Sequence, residues 1–149
     1  MKIIKGDLIK LAKEGKFDVI VHGCNCFCKM GRGIAKTIKQ EFPVAYAADM
    51  KTMPGDQNKL GTYTENTIQI ENHILVVVNA YTQYKYWGKE ANIDYKALRS
   101  CFKEISKNYF NLRIGIPKIG AGLAGGDWDK IQGIIEEEMA GCDITLVVL

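Results

Sequence analysis

A chain of 149 residues, 47% hydrophobic and 25% charged with three prolines, is long enough to bury one sizeable apolar core as a single domain over residues 1–149. Its apolar runs are too short for a membrane-spanning helix of about 20 residues, and the charged opening MKIIKGDLIK lacks the apolar stretch and small-residue cleavage site of a secretory leader. A net charge of +3 does not by itself indicate nucleic acid, and an odd set of five cysteines, with Cys24, Cys26 and Cys28 bunched together, reads as free thiols in a reducing, cytoplasmic compartment; a monomer without a membrane partner is expected.

Met1 to Lys5 is short and isoleucine-rich, which predicts a strand, and Gly6-Asp7 ends it before a short helix over Leu8 to Lys13 that Asp7 can cap. Phe17 to Gly23 contains Val19-Ile20-Val21 and reads as a strand buried on both faces. Ile34, Ile38 and Phe42 then recur at helical spacing, and Pro43 ends that helix or starts another through Met50. Met53 to Asp56 is a turn, followed by strands around Gly61 to Thr67 and Ile74 to Asn79, with Asn72-His73 between them. The clearest helix spans about Asp94 to Asn108, where Leu98, Cys101, Phe102, Ile105 and Tyr109 share one face and Asp94 is placed to cap. Leu112 to Ile116 is again a strand. A last helix carries Ile131, Ile134, Ile135 and Met139, and the strand Ile144 to Leu149 completes the central sheet. Alternating strands and helices without a linker or repeat give one layered α/β domain.

Two strand-to-loop junctions hold the chemistry. In the first, His22 to Ala35, Gly31 and Gly33 stand just before a helix whose unpaired N–H groups can receive an anion. In the second, Gly120, Gly122, Gly125 and Gly126 follow an apolar strand and can form a backbone nest for phosphate oxygens. Tight turns and close packing also use such glycines, so spacing alone leaves both readings open. Neither loop carries the G-x-G-x-x-G dinucleotide fingerprint or the G-x-x-x-x-G-K-[ST] phosphate loop.

The ordered series Gly6-Asp7-Leu8, Val19 to Asn25, Met30-Gly31-Arg32-Gly33-Ile34-Ala35 and Ile116 to Trp128 resembles the macro domain family over nearly the whole chain. The likeness is greatest to the branch of ADP-ribose-1''-phosphate phosphatases and terminal ADP-ribose hydrolases. It implies a three-layer α/β/α fold with a mixed central sheet. By the same resemblance, Asp7 contacts the adenine amino group with Leu8 nearby, and Asn25, Gly31 and Gly33 lie by the distal ribose and its phosphate. Ile119, Gly120, Ala121, Gly122 and Leu123 would wrap the diphosphate. For Asp7, helix capping is the plain alternative.

His22 and Asp127 match the positions for phosphate-monoester chemistry, since a histidine can relay protons near neutrality and a carboxylate can orient water. Each has a structural alternative: a buried, hydrogen-bonded support for His22 and a helix cap for Asp127. Enzymes of this branch that release ADP-ribose from acidic side chains carry a catalytic lysine after the middle strand and an acid after the Gly-x-Gly-Leu segment. Here Ala124 occupies the second position, and Gln83, Lys85 and Lys89 share the region of the first. The resemblance therefore implies a metal-independent ADP-ribose-1''-phosphate phosphatase without a cofactor. A nonenzymatic ADP-ribose-binding module and a hydrolase freeing acidic residues are the alternatives, with ADP-ribosylated protein or RNA as larger partners. The C-x-C-x-C run is tighter than zinc-ligand pairs and has no second cysteine pair. Tyr81, Tyr84, Tyr86 and Trp87, interleaved with Lys85 and Lys89, either cover the ligand or pack a surface loop.

Overall fold

The computed structural model describes residues 1–88, 92–122 and 124–149. Six strands form one mixed sheet in the order β1-β6-β5-β2-β4-β3. These are β1 (Lys2–Lys5), β2 (Val19–Cys24), β3 (Tyr63–Ile70), β4 (His73–Tyr81), β5 (Arg113–Ile116) and β6 (Asp143–Val148). β1 pairs in parallel with β6, β6 with β5, β5 with β2 and β2 with β4, whereas β3 is antiparallel to β4. The C-terminal strand is thus held between two others, as expected.

Helices cover both faces. On one side lie α1 (Leu8–Lys13), α2 (Gly33–Glu41) and α3 (Pro43–Met50), packed through Leu8, Ile9, Ile38, Phe42 and Ala45 onto Ile20, Leu75 and Val77. On the other, α4 (Tyr95–Asn108) and α5 (Trp128–Glu138) bury Leu98, Phe102, Ile105, Ile131 and Ile135 against Val19, Val21, Val78, Ile114 and Ile116. Burying each such large side chain stabilises the fold by about 1.5–3 kcal/mol. This three-layer α/β/α arrangement with a mixed central sheet is the expected one.

Local chemistry sets the element ends. The Asp7 carboxylate accepts from Ile9 and Lys10 N–H at the start of α1, and Asp94 accepts from Ala97 N–H at the start of α4. Pro43 opens α3 rather than merely ending α2, a position where its missing N–H costs nothing. The β3–β4 hairpin runs longer than the apolar pattern predicts. Its turn falls on Glu71-Asn72, and His73 already belongs to β4. The polar Glu65, Asn66 and Gln69 continue β3 because it is an edge strand with one wet face. At the opposite edge, β1 leaves Ile3 and Ile4 exposed. Among the described residues, no helix is long and apolar enough to cross a membrane.

Candidate functional site

Because β1, β2, β4, β5 and β6 run in parallel, their C-terminal ends lie along one edge of the sheet, where open α/β folds bind ligands. The segments leaving that edge are Gly6-Asp7-Leu8, the β2–α2 loop, the β4–α4 loop and the β5–α5 loop. The described candidate binding residues lie on these segments or, for Leu8 and Gly33, at the first position of the helix that follows.

In the β2–α2 loop, Asn25 is nearly buried and shapes the backbone. Its Oδ1 accepts from Phe27 N–H at 2.9 Å, and its Nδ2 donates to Lys29 O at 2.8 Å. Gly31 stands in open space, with no atom within 4 Å of the point a side chain would occupy. Gly33 begins α2 with a φ of 56°, and Arg32 before it supplies no side-chain cap. The N–H groups of Gly33, Ile34 and Ala35 therefore have no acceptor among the described residues. Uncapped donors at a helix N-terminus, reinforced by the helix dipole, form an anion-binding feature.

The neighbouring β5–α5 loop is folded on itself by a bond from Gly126 N–H to Gly120 O at 2.7 Å. Gly120 adopts a φ of 74°, and a side chain there would run into Ile93 and Ile131. Ile119 is almost fully buried beneath Gly23, so this residue can reach a ligand only through its backbone. Ala121 is half-buried and Gly122 exposed, and the N–H groups of Gly120 and Gly122 have no acceptor among the described residues. Leu123 lies outside the described residues, as does Lys89.

Asp7 spends one carboxylate oxygen on the α1 cap and has a second without a partner among the described residues. Leu8 is buried in the core. Asp127 is exposed at the start of α5, where one oxygen accepts from Asp129 N–H at 3.0 Å and its own N–H donates to Tyr95 Oη. Capping is thus part of what both aspartates do.

His22 sits elsewhere. It has no solvent exposure and lies in register with Asn79 on the adjacent strand, facing the α3 layer. Asn79 Nδ2 donates to Ala45 O at 2.9 Å, which fixes its amide orientation. Oδ1 is therefore the acceptor for His22 Nε2–H at 2.7 Å. Burial pulls the His22 pKa down to about 4, only partly opposed by the Asn79 bond, so the ring is neutral near pH 7. Burial likewise keeps the neighbouring Cys24 thiol protonated, well above its ordinary range.

Beneath the β2–α2 loop lies a polar network that the sequence pattern does not reveal. The buried Lys59 Nζ donates to Cys26 O at 3.1 Å and Thr52 Oγ1 at 2.6 Å, and lies 3.6 Å from Cys28 Sγ. Tyr81 Oη donates to Asp49 Oδ1 at 2.7 Å, and burial raises the Asp49 pKa. Asn79 has a sequence signal, an amide inside an apolar strand, but Lys59 has none. Gln83 Nε2 donates to Lys85 O at 2.8 Å, so its amide is engaged within its own loop. Among the described residues, no group of three or more His, Cys, Asp or Glu is placed to hold a metal ion.

The Macro domain family model matches residues 21–135. The chain is 37% identical to an uncharacterised 17.5 kDa protein of Enterobacteria phage T4, covering 99% of this chain and 95% of that one. It is 27% identical to the ADP-ribose 1''-phosphate phosphatase of Candida albicans, covering 92% of each, and 27% identical to the ADP-ribose glycohydrolase OARD1 of Bos taurus, covering 97% and 88%. A crystal structure of a Bacteroides thetaiotaomicron protein superposes with a TM-score of 0.80 at 26% identity, covering 100% of this chain and 99% of that one. With the parallel-strand edge and its glycine loops, these matches establish that the chain belongs to the macro domain family.

Proposed function

We propose that this macro domain binds ADP-ribose derivatives along the C-terminal edge of its sheet and hydrolyses the terminal phosphate of ADP-ribose-1''-phosphate. The observation that carries the reading is the pair of adjacent loops whose N–H groups, at Gly33 to Ala35 and at Gly120 and Gly122, lack acceptors among the described residues. A diphosphate bridging the two loops would satisfy both sets, with the Asp7 carboxylate left to accept from an adenine amino group. Fixed backbone donors also suit the charge of a terminal phosphate without reorganisation.

Asp127 is the candidate for orienting water, because capping occupies only one of its oxygens. Water would attack phosphorus as the bond to the 1''-oxygen breaks, giving ADP-ribose and inorganic phosphate. His22 enters as a positioning residue: neutral and enclosed, it ties the end of β2 to β4 through Asn79. Release of ADP-ribose from acidic side chains is the second reading, motivated by the equal identity to the bovine glycohydrolase. Against it, the place of that activity's acid is held by the buried, apolar Ala124.

Phosphate release from ADP-ribose-1''-phosphate tests the proposal, beside ADP-ribose binding and release from an acidic-residue conjugate. Asp127→Asn keeps a capping oxygen and is expected to cut phosphate release at least about ten-fold with stability held within about 0.5 kcal/mol, whereas Asp127→Ala also loses about 1 kcal/mol of cap. Tight ADP-ribose binding without phosphate release by the wild type would leave a binding module only. Full activity in Asp127→Asn would restrict that residue to capping.

A further inference from the structure

Lys59 is only 6% exposed, yet among the described residues no carboxylate lies within salt-bridge distance of its Nζ. A lysine is rarely enclosed without such a partner, because neutral acceptors replace the hydration of its charge only in part. Two of its N–H groups go to Thr52 Oγ1 and Cys26 O, and Nζ lies 4.7 Å from the centre of the Tyr81 ring. The third is directed at Cys28 Sγ, 3.6 Å away. Asp49, almost fully buried, places one carboxylate oxygen on Tyr81 Oη and leaves the other, Oδ2, enclosed with no partner among the described residues. The buried cation and the buried acceptor of the network are thus not joined to each other.

Cys28 is held at this amine by the course of its loop. The chain turns there with a φ of 60°, and the thiol donates to Asp49 O at 3.2 Å. The loop is braced by its neighbours. Cys26 N–H donates to Tyr84 O, Gly55 N–H donates to Cys26 O, and Tyr84 Oη donates to Gly55 O at 2.7 Å. Phe27 meets Tyr84 edge to face with ring centroids 5.0 Å apart. The other thiols of the region have different neighbours: Cys26 Sγ faces Gln83 O, Cys24 Sγ faces His22 and Cys101 Sγ faces Thr62 O. Burial pushes the Cys26 and Cys101 thiols up to about 11 and about 12, so both stay protonated near neutrality and are poor nucleophiles. The nucleophile beside the Cys28 sulfur is therefore an amine.

We infer that Cys28 and Lys59 form a modification site that closes into a sulfur–nitrogen crosslink when the protein meets hydrogen peroxide. Peroxide that reaches Cys28 as the loop lifts transfers one oxygen to sulfur. The thiol gives up two electrons and becomes a sulfenic acid, and the second peroxide oxygen leaves as water. Reclosure returns the sulfur to Lys59. The nitrogen attacks sulfur and the S–O bond breaks; the hydroxyl leaves as water with one proton of the ammonium, and a second proton passes to solvent. The resulting sulfenamide fastens the β2–α2 loop to the segment before β3. It also replaces a buried ammonium by a neutral nitrogen, removing the charge that the site leaves unpaired. A dithiol reductant restores the thiol and the amine and is itself oxidised to a disulfide. The inference is independent of the ADP-ribose reading.

Peptide mapping by mass spectrometry tests it, on folded full-length protein treated with hydrogen peroxide and digested without reductant. A peptide joining Cys28 to Lys59, lighter than its two parts by two hydrogens, is expected, and dithiothreitol should return it to the free peptides. The crosslink should persist in Cys26→Ala and vanish in Cys28→Ala. Lys59→Arg keeps the charge and should divert Cys28 to oxidation that dithiothreitol does not reverse. Oxidation of the partly exposed Cys142 shows that the dose sufficed. With Cys142 oxidised, an unlinked Lys59 in the wild type would overturn the inference, whether Cys28 is recovered as the free thiol, as a sulfinic acid or in a disulfide.

Discussion

His22 shows how a residue type can be legible while its role is not. A histidine at the end of a buried strand beside a glycine-rich loop suggests proton transfer, but which way the ring faces is decided by Asn79, which lies far away in sequence and in register on the next strand. Enclosure also ties its titration to the stability of the fold. Its folded pKa of about 4 lies below its ordinary 6.5, so the unfolded chain takes up a proton first as pH falls. The stabilisation is complete above about pH 6.5 and is lost as pH drops toward 4, by roughly 3 kcal/mol in all. Urea denaturation of the wild type and of His22→Gln across this range checks the sign: the wild type should lose stability more steeply. Parallel curves would mean that the ring is not held neutral.

Among the elements, the helices and central strands could be read closely because their signals are local. Asp7, Asp94 and Asp127 all cap the helices that follow them, and the Val19-Ile20-Val21 run is buried on both faces. The β3–β4 hairpin was less legible, since an edge strand tolerates polar residues and only pairing with its neighbour sets its length. In the β5–α5 loop, the sequence shows glycines but not which of them serve the fold. Gly120 has a left-handed backbone and no room for a methyl group, whereas Gly122 faces open space. Gly120→Ala should therefore cost more than about 2 kcal/mol of stability. Gly122→Ala should fold within about 0.5 kcal/mol of the wild type and yet bind ADP-ribose about ten-fold more weakly, through displacement of a charge-assisted hydrogen bond. Thermal unfolding and calorimetry on the two variants separate the roles; unchanged ADP-ribose affinity in Gly122→Ala would remove that residue from the site.

Across the whole molecule, the site depends on strand direction. Five parallel strands deliver Asp7, the β2–α2 loop, the β4–α4 loop and the β5–α5 loop to the same edge, although they are separated along the chain. Glycine placement and family likeness marked the β2–α2 and β5–α5 loops in the sequence. The Lys59 network and the bracing of Phe27 and Tyr84 were not marked there, because each joins segments that share no motif.

That network makes the thiols of Cys26 and Cys28 a clock for opening of the site. Both lie in the loop that leads to the uncapped start of α2, and both are buried, so a small alkylating reagent reaches them only when the loop lifts from the sheet. Their reaction rate then measures how often the closed form opens, and a ligand that binds only the closed form must slow it. Mass spectrometry after timed iodoacetamide treatment should find Cys142, which is partly exposed, modified first and unaffected by ADP-ribose. Cys26 and Cys28 should lag and be protected further as ADP-ribose is added. If all three react at one rate, the loop does not open separately from the rest of the fold.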